Sequence, residues 1–225
     1  MVIIFYECHM NIIIERFEKI KGNILKFKQN TKPNIIAVSK TFDLDYVKPL
    51  ILYGHIHFGE NKVQEAEKKW SDARVKNQDL KLHMVGRLQS NKAKKAVEVF
   101  DYIHSLDNEK LAKVLSSHEK KINKKLKYFI QVNIGDESQK SGIAVKDLNN
   151  FYMLCVKELD LNIIGLMIIP PNDNNTEKYF EKINKLNTSL NLKELSMGMS
   201  QDYHLALKHN ATFIRIGSAI FGERS

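Results

Sequence analysis

Lys40 closes the segment NIIAVSK (34–40), six residues of strand-like pattern followed by a cation. A lysine there has two readings. It can mark where a strand leaves the core for water, the ordinary case in a chain whose 35 Lys+Arg include only five arginines. Or it can be a nucleophile, because a partly desolvated ammonium loses its proton more readily and can condense with a carbonyl. Two other stretches bear on the choice. SMGMSQD (196–202) brings glycine, a hydroxyl at Ser200 and a helix start together, where free N–H groups favour an anion. RIGSAIFG (215–222) adds Gly217 and Ser218, and glycine lets a backbone approach a ligand closely. Each stretch alone reads as a turn or a cap; at consecutive strand ends they read as a phosphate site. Arg215 sits inside an apolar run, and a buried guanidinium needs a partner. That partner is either a core carboxylate such as Glu60 or an acceptor on a ligand. A lysine facing a phosphate site fits a sugar phosphate, as in an aldolase, or pyridoxal 5′-phosphate. A metal rival rests on His55 and His57 in HIH, with no clear carboxylate ligand beside them. No motif supports a Ser or Cys nucleophile with a His base.

The elements that must carry these residues alternate with regularity. Over 11–29, Ile13, Phe17, Ile20, Ile24 and Phe27 recur at steps of four and three, one apolar helix face. Strand-like runs follow at 34–39, 55–59, 81–86, 101–106, 127–134, 162–169, 194–198 and 212–222. Between them lie helix patterns near 43–53, 61–76, 90–98, 108–122, 145–158, 174–189 and 200–209, with Asp43, Ser90, Asp107 and Ser200 as expected caps. Eight strands alternating with helices, without a Pro/Gly-rich boundary, predict a single-domain (β/α)8 TIM barrel over 1–225. An open doubly wound sheet is the alternative, but no G-x-G-x-x-G follows any strand. In a barrel the chemistry belongs at the C-terminal strand ends, where Lys40, Asn61, His83, Ser200, Arg215 and Gly217 fall.

Bulk composition sets outer bounds. With 43% hydrophobic residues in 225, a sizeable core is expected. No apolar run reaches the ~18 residues a membrane span needs. MVIIFY is too short for a signal-peptide core, so a cytoplasmic protein is expected. Met10 is the expected helix start, and residues 1–9 read as an extension or a misassigned start. Cys8 and Cys155 form no metal spacing, and Cys155 is expected to be buried. The net charge of +9 is mostly scattered lysine among Asn and Ile, which reads as compositional drift; the densest stretch, HEKKINKKLK (118–127), reads as a solvated face. Nucleic-acid and membrane partners rest on charge alone and are not expected.

Eight stretches in order resemble one family: AVSKT, FGENKVQEAEKK, HMVGRLQSNKAK, IHSLD, QVNIGDESQKSGI, GLMIIPP, LSMGMSQD and FIRIGSAIFGER. Together they are similar to the YggS/PROSC family of pyridoxal phosphate homeostasis proteins, from about residue 34 to 224. The resemblance implies one barrel like the N-terminal domain of alanine racemase (pyridoxal fold type III), without that enzyme's β-domain. It implies pyridoxal 5′-phosphate (PLP) as a covalent aldimine on Lys40, with Arg215 facing the pyridine nitrogen. Ser200, Gly217, Ser218 and the N–H of Met199 would hold the phosphate, and Asn61 and His83 would line the pocket near the ring. Ser218 stands where relatives are expected to have threonine, and it keeps the hydroxyl. Residues 1–9 match nothing in the pattern.

Function then divides. An arginine donor leaves the pyridine nitrogen unprotonated, a poorer electron sink. Two-base racemisation needs a second acid/base opposite Lys40, and none of the eight tyrosines sits at an expected strand end in a motif. The expected role is therefore a PLP-binding protein that buffers or delivers the cofactor, with PLP-dependent apo-enzymes as candidate recipients, without strong catalysis. A fold-type III amino-acid racemase or other low-activity PLP enzyme is the alternative. No oligomer element is evident, so a monomer is expected over a dimer.

Overall fold

Period-two alternation in β1 (Asn34–Val38) sorts its side chains to two sides. Ile35 and Ala37 join one apolar cluster, which packs against helices, while Ile36 and Val38 join another with Phe129, Met167 and Phe213. The second cluster is the lumen of a barrel. The computed structural model describes residues 2–27, 32–135, 137 and 141–223, with backbone alone for 2–11.

The barrel strands are β1, β2 (His57–Glu60), β3 (Lys81–Met84), β4 (Tyr102–Leu106), β5 (Lys127–Asn133), β7 (Ile163–Met167), β8 (Glu194–Met199) and β9 (Phe213–Ile216). Every pairing is parallel, in the order β4-β3-β2-β1-β9-β8-β7-β5, and a β4–β5 pairing closes the ring. The structure is thus the closed eight-stranded barrel expected, not the open sheet. A two-residue strand, β6 (Ile143–Ala144), adds to the end of β5.

The helices are α1 (Val2–Leu25), α2 (Leu44–Leu52), α3 (Val63–Lys76), α4 (Ala93–Val99), α5 (Glu109–Ile122), α6 (Leu148–Met153), α7 (Thr176–Ser189), α8 (Tyr203–Lys208) and α9 (Ser218–Phe221). In α1 the buried face is Ile13, Phe17, Ile20 and Ile24, as their spacing predicts. The helix starts at Val2 rather than Met10 and stops at Leu25. Asp43 caps α2, its Oδ1 accepting the Tyr46 N–H at 3.0 Å. The cap of α5 is Asn108, not Asp107. Ser90 opens a short 3-10 turn instead of capping one, and α8 begins at Tyr203, beyond Ser200. The largest departure is at 212–222. The strand ends at Ile216, and SAIF forms one turn of helix, because a short apolar run carries no period that separates helix from strand.

The basic stretch 118–127 is the solvated face expected, with Lys120, Lys121, Lys125 and Lys127 exposed, and two of its lysines also hold neighbouring elements. Lys124 Nζ donates to the carbonyls of Val97, Glu98 and Phe100 at 2.7–3.0 Å, closing the end of α4, and Lys125 pairs with Asp160 at 2.6 Å. Cys155 lies in a π-helical turn after α6, and burial pushes its thiol up to about 12. Among the described residues no helix is long and apolar enough to cross a membrane.

The lumen holds three histidines as well as apolar side chains. His83 stacks on Tyr102 with ring centroids 4.2 Å apart, and His104 on Phe129 at 4.3 Å. Burial is the main cause that holds these three, and His55 at the barrel floor, neutral: His55 and His57 are lowered to about 4, His83 and His104 well below the ordinary value. Unfolding returns each to about 6.5. Between about pH 6.5 and 4 the unfolded chain therefore binds more protons than the folded one. Stability is full above that window and falls as pH drops through it, by up to ~1.4 kcal/mol per pH unit for each fully buried ring. Urea unfolding at pH 7.5, 6 and 5 should show a falling midpoint; a midpoint unchanged from 7.5 to 5 would contradict neutral inner histidines.

Candidate functional site

The inward row of β1 continues past its end: Ile36 and Val38 face the lumen, and Lys40 is the next residue of that row. The chain then turns sharply, with Thr41 at φ +70° in the left-handed region, a conformation uncommon outside glycine and concentrated at functional positions. Among the described residues Lys40 makes no hydrogen bond or ion pair.

A polar pedestal fixes the backbone beneath it. Ser39 Oγ donates to Glu60 Oε1 at 2.7 Å, Lys69 Nζ donates to the same oxygen at 2.7 Å and to the Ser39 carbonyl at 2.7 Å, and the Trp70 indole donates to Glu60 at 3.0 Å. Ser39 and Glu60 are fully buried. The pedestal pairs Glu60 with Lys69, so Glu60 is not the partner of Arg215.

Arg215 lies inward on β9, two residues above the lumen residue Phe213. Its guanidinium donates from Nη1 to Ser196 Oγ at 2.7 Å and from Nη2 to the Ile168 carbonyl at 2.9 Å. Among the described residues no carboxylate forms an ion pair with it. Burial lowers it to about 10, with Asp202 pulling the other way, so it remains a cation at neutral pH. A buried guanidinium with two neutral acceptors keeps N–H groups to spend on a ligand.

Both groups open into one cavity of about 920 Å³ at the C-terminal mouth of the barrel. Its wall contains seven of the eight residues expected from sequence: Lys40, Asn61, Met199, Ser200, Arg215, Gly217 and Ser218. The eighth, His83, lies deeper in the lumen, fully buried and off the cavity wall. The loop after β3 packs Gly86 on the backbone of Asn61, where a Cβ would meet the Asn61 carbonyl oxygen at 2.5 Å; that contact holds Asn61 at the rim.

On the opposite side, Ser200 Oγ accepts the Ala219 N–H at 3.3 Å, tying the end of β8 to α9. Gly198, at φ +89°, makes the bend that allows it. The Met199 N–H already donates to Asp202 Oδ1 at 2.6 Å. Asp202 and Ser196 are the functional neighbours that sequence reading passed over. Ser196 was visible as a polar residue in an otherwise apolar strand; nothing marked Asp202 beyond its place beside a helix start. Among the described residues no three His, Cys, Asp or Glu are placed to hold a metal ion.

Comparison with known proteins decides the family. The alanine racemase N-terminal domain model matches residues 16–225. The "Pyridoxal phosphate homeostasis protein" of Aquifex aeolicus is 35% identical over 199 residues, covering 84% of this chain and 86% of that one. Its namesake from Vibrio cholerae is 35% identical over 230 residues, covering 96% and 98%. The chain belongs to this family. Among family structures, PipY of Synechococcus elongatus with PLP bound superposes with a TM-score of 0.83 at 34% identity, over 93% of this chain and all of that one. Alanine racemase from Corynebacterium glutamicum, at 13% identity and TM-score 0.70, shares the fold and extends beyond it, since the chain spans 61% of its length. The family's barrel therefore accounts for the alternation of elements, and seven of the eight site residues expected from the sequence line its mouth cavity.

Proposed function

We propose that the protein binds pyridoxal 5′-phosphate in the mouth cavity and serves its homeostasis, buffering or delivering the cofactor. The observation that carries this reading is the donor set. A lysine and a buried arginine, neither paired with a carboxylate among the described residues, open into one cavity beside a glycine–hydroxyl cup. The homeostasis role is that of the relatives named above.

PLP, when bound, supplies an aldehyde for an amine to condense with and a ring able to withdraw electrons. Lys40 offers the amine. Arg215 offers a donor to the pyridine nitrogen and, because it holds its protons at neutral pH, keeps that nitrogen an acceptor. Ser200 and Ser218 offer hydroxyls to the phosphate, and the Ser218 N–H at the start of α9 has no partner inside the helix, while the Ala219 N–H is held by Ser200 Oγ. Val38, Val85 and Ile169 on the wall supply apolar contact for the ring. Among the described residues that wall has no tyrosine or histidine, which favours a holder of the cofactor over a two-base racemase. On the same reading the protein acts in the cytoplasm, as a monomer, and passes PLP to apo-enzymes.

Titration with PLP and with pyridoxal, followed by visible absorbance, tests the reading. PLP should saturate one site, and pyridoxal should bind far more weakly for want of the phosphate. Equal affinity for the two would refute the phosphate cup. Asp202 places a carboxylate in that cup, and like charges ~5 Å apart at an effective dielectric near 20 repel by up to ~3 kcal/mol. Asp202→Asn is therefore expected to tighten PLP binding by about tenfold after solvent screening and to leave pyridoxal unchanged. Equal tightening of both ligands would show that Asp202 acts elsewhere.

A further inference from the structure

An unbroken hydrogen-bonded column crosses the barrel lumen from its floor to Arg215. His57 Nδ1 lies 2.9 Å from His83 Nε2, His83 Nδ1 lies 2.9 Å from His104 Nε2, and His104 Nδ1 lies 2.8 Å from Ser196 Oγ. Ser196 Oγ then accepts from Arg215 Nη1 at 2.7 Å. His83, His104 and Ser196 are fully buried, and Arg215 nearly so. At its lower end His57 lines a separate cavity of about 490 Å³ at the barrel floor, together with Phe17, Lys21 and His55.

Donor counting gives the column a direction. Arginine only donates, so Ser196 Oγ accepts from it. Each neutral imidazole carries one N–H, and the serine carries one O–H. If the serine proton points to His104 Nδ1, His104 is protonated at Nε2 and donates to His83 Nδ1. His83 then donates from Nε2 to His57 Nδ1, and His57 keeps its own proton on Nε2, at the floor. Every gap holds one proton. In the opposite sense Ser196 would accept from both Arg215 and His104, and its hydroxyl proton would have no acceptor among the bonds the structure shows. A buried donor left without an acceptor carries its full desolvation penalty, which decides for the first sense. The nitrogens face each other in pairs rather than converging on a point, so the column is not a metal site.

We propose that His57, His83 and His104 are positioning residues for Arg215: a one-directional relay that fixes the Ser196 hydroxyl, and through it the guanidinium that lines the mouth cavity. The relay makes the floor of the barrel and its mouth parts of one network. Its outermost member, His57, is not on the mouth cavity wall, yet its acceptor nitrogen decides which way His83, His104 and Ser196 point. The effect on PLP rests on the function proposed above; the direction of the relay does not.

The test has two readouts. In the protein without PLP, long-range 1H–15N correlation spectra at pH 7 should show His57, His83 and His104 all neutral and protonated at Nε2. Two variants then change only the outer end. His57→Gln keeps an acceptor for the His83 N–H and should leave the His104 signals and PLP binding as in the wild type. His57→Leu removes the acceptor and should shift the 15N signals of both His83 and His104. It should also weaken PLP binding by roughly threefold or more, as expected for coupled members of one network, and move the visible band of the loaded protein. Nδ1-protonated rings in the unliganded protein would overturn the relay's direction. Unchanged His104 signals in His57→Leu would overturn the relay itself. Failure of the wild type to bind PLP would instead defeat the functional reading and leave the tautomer result standing.

Discussion

Lys40→Ala is expected to fold as the wild type does and to lose the visible band that PLP gives with a lysine amine. Lys40 makes no hydrogen bond or ion pair among the described residues, so its removal breaks none and leaves no buried charge behind. On the proposed function, what remains for PLP is the Arg215 contact and the phosphate cup, and hydrogen bonds to charged groups are worth about 1.5–3 kcal/mol each. Residual, non-covalent binding of PLP should therefore persist, with rapid exchange and an absorbance close to that of the free aldehyde. Thermal melts and absorbance titrations of the variant check both halves. A variant that keeps the wild-type band would return Lys40 to an ordinary strand end.

Lys69→Met should be the most damaging change to stability near the site. Lys69 and Glu60 form a salt bridge at 2.7 Å with side chains only 9% and 0% exposed. The same ammonium also holds the Ser39 carbonyl, one residue before Lys40. Methionine preserves the length but leaves the Glu60 carboxylate buried with two neutral donors, Ser39 and Trp70. Breaking one side of a buried ion pair costs about 3–5 kcal/mol, which in a chain of this size lowers the melting temperature by roughly 10 °C. Glu60→Gln with Lys69→Met removes both charges and should recover part of the loss. If the double variant is no more stable than Lys69→Met, the buried charge is not the cause.

The residues that sequence reading located are those whose chemistry contradicts their surroundings. Lys40 and Arg215 are cations in apolar strands, and strand period two is enough to turn both inward. Glycine–hydroxyl pairs at the ends of β8 and β9 each read alone as a turn or a cap, and pointed to a cup only because they fall at consecutive strand ends. His83 shows the limit. Its inward direction was legible, but its depth was not, since that is set by the stagger between neighbouring strands. His83 pairs in register with Gly59 on one side and with Tyr102, the first residue of β4, on the other, and this stagger sinks it below the mouth. Ser196 escaped notice for a related reason. A serine in a strand carries no charge to explain, and its role depends on two partners, His104 and Arg215, that are distant in sequence. The strand at 212–222 was overrun because GSAIFG fits either a strand or a turn of helix, and packing made the choice.

Reduction of the PLP-loaded protein with borohydride, followed by peptide mapping, tests the central claim most directly. The account predicts one pyridoxyl group per chain, on the peptide that contains Lys40, and none in Lys40→Ala. A pyridoxyl group spread over several surface lysines, or fixed to a single lysine other than Lys40, would contradict it.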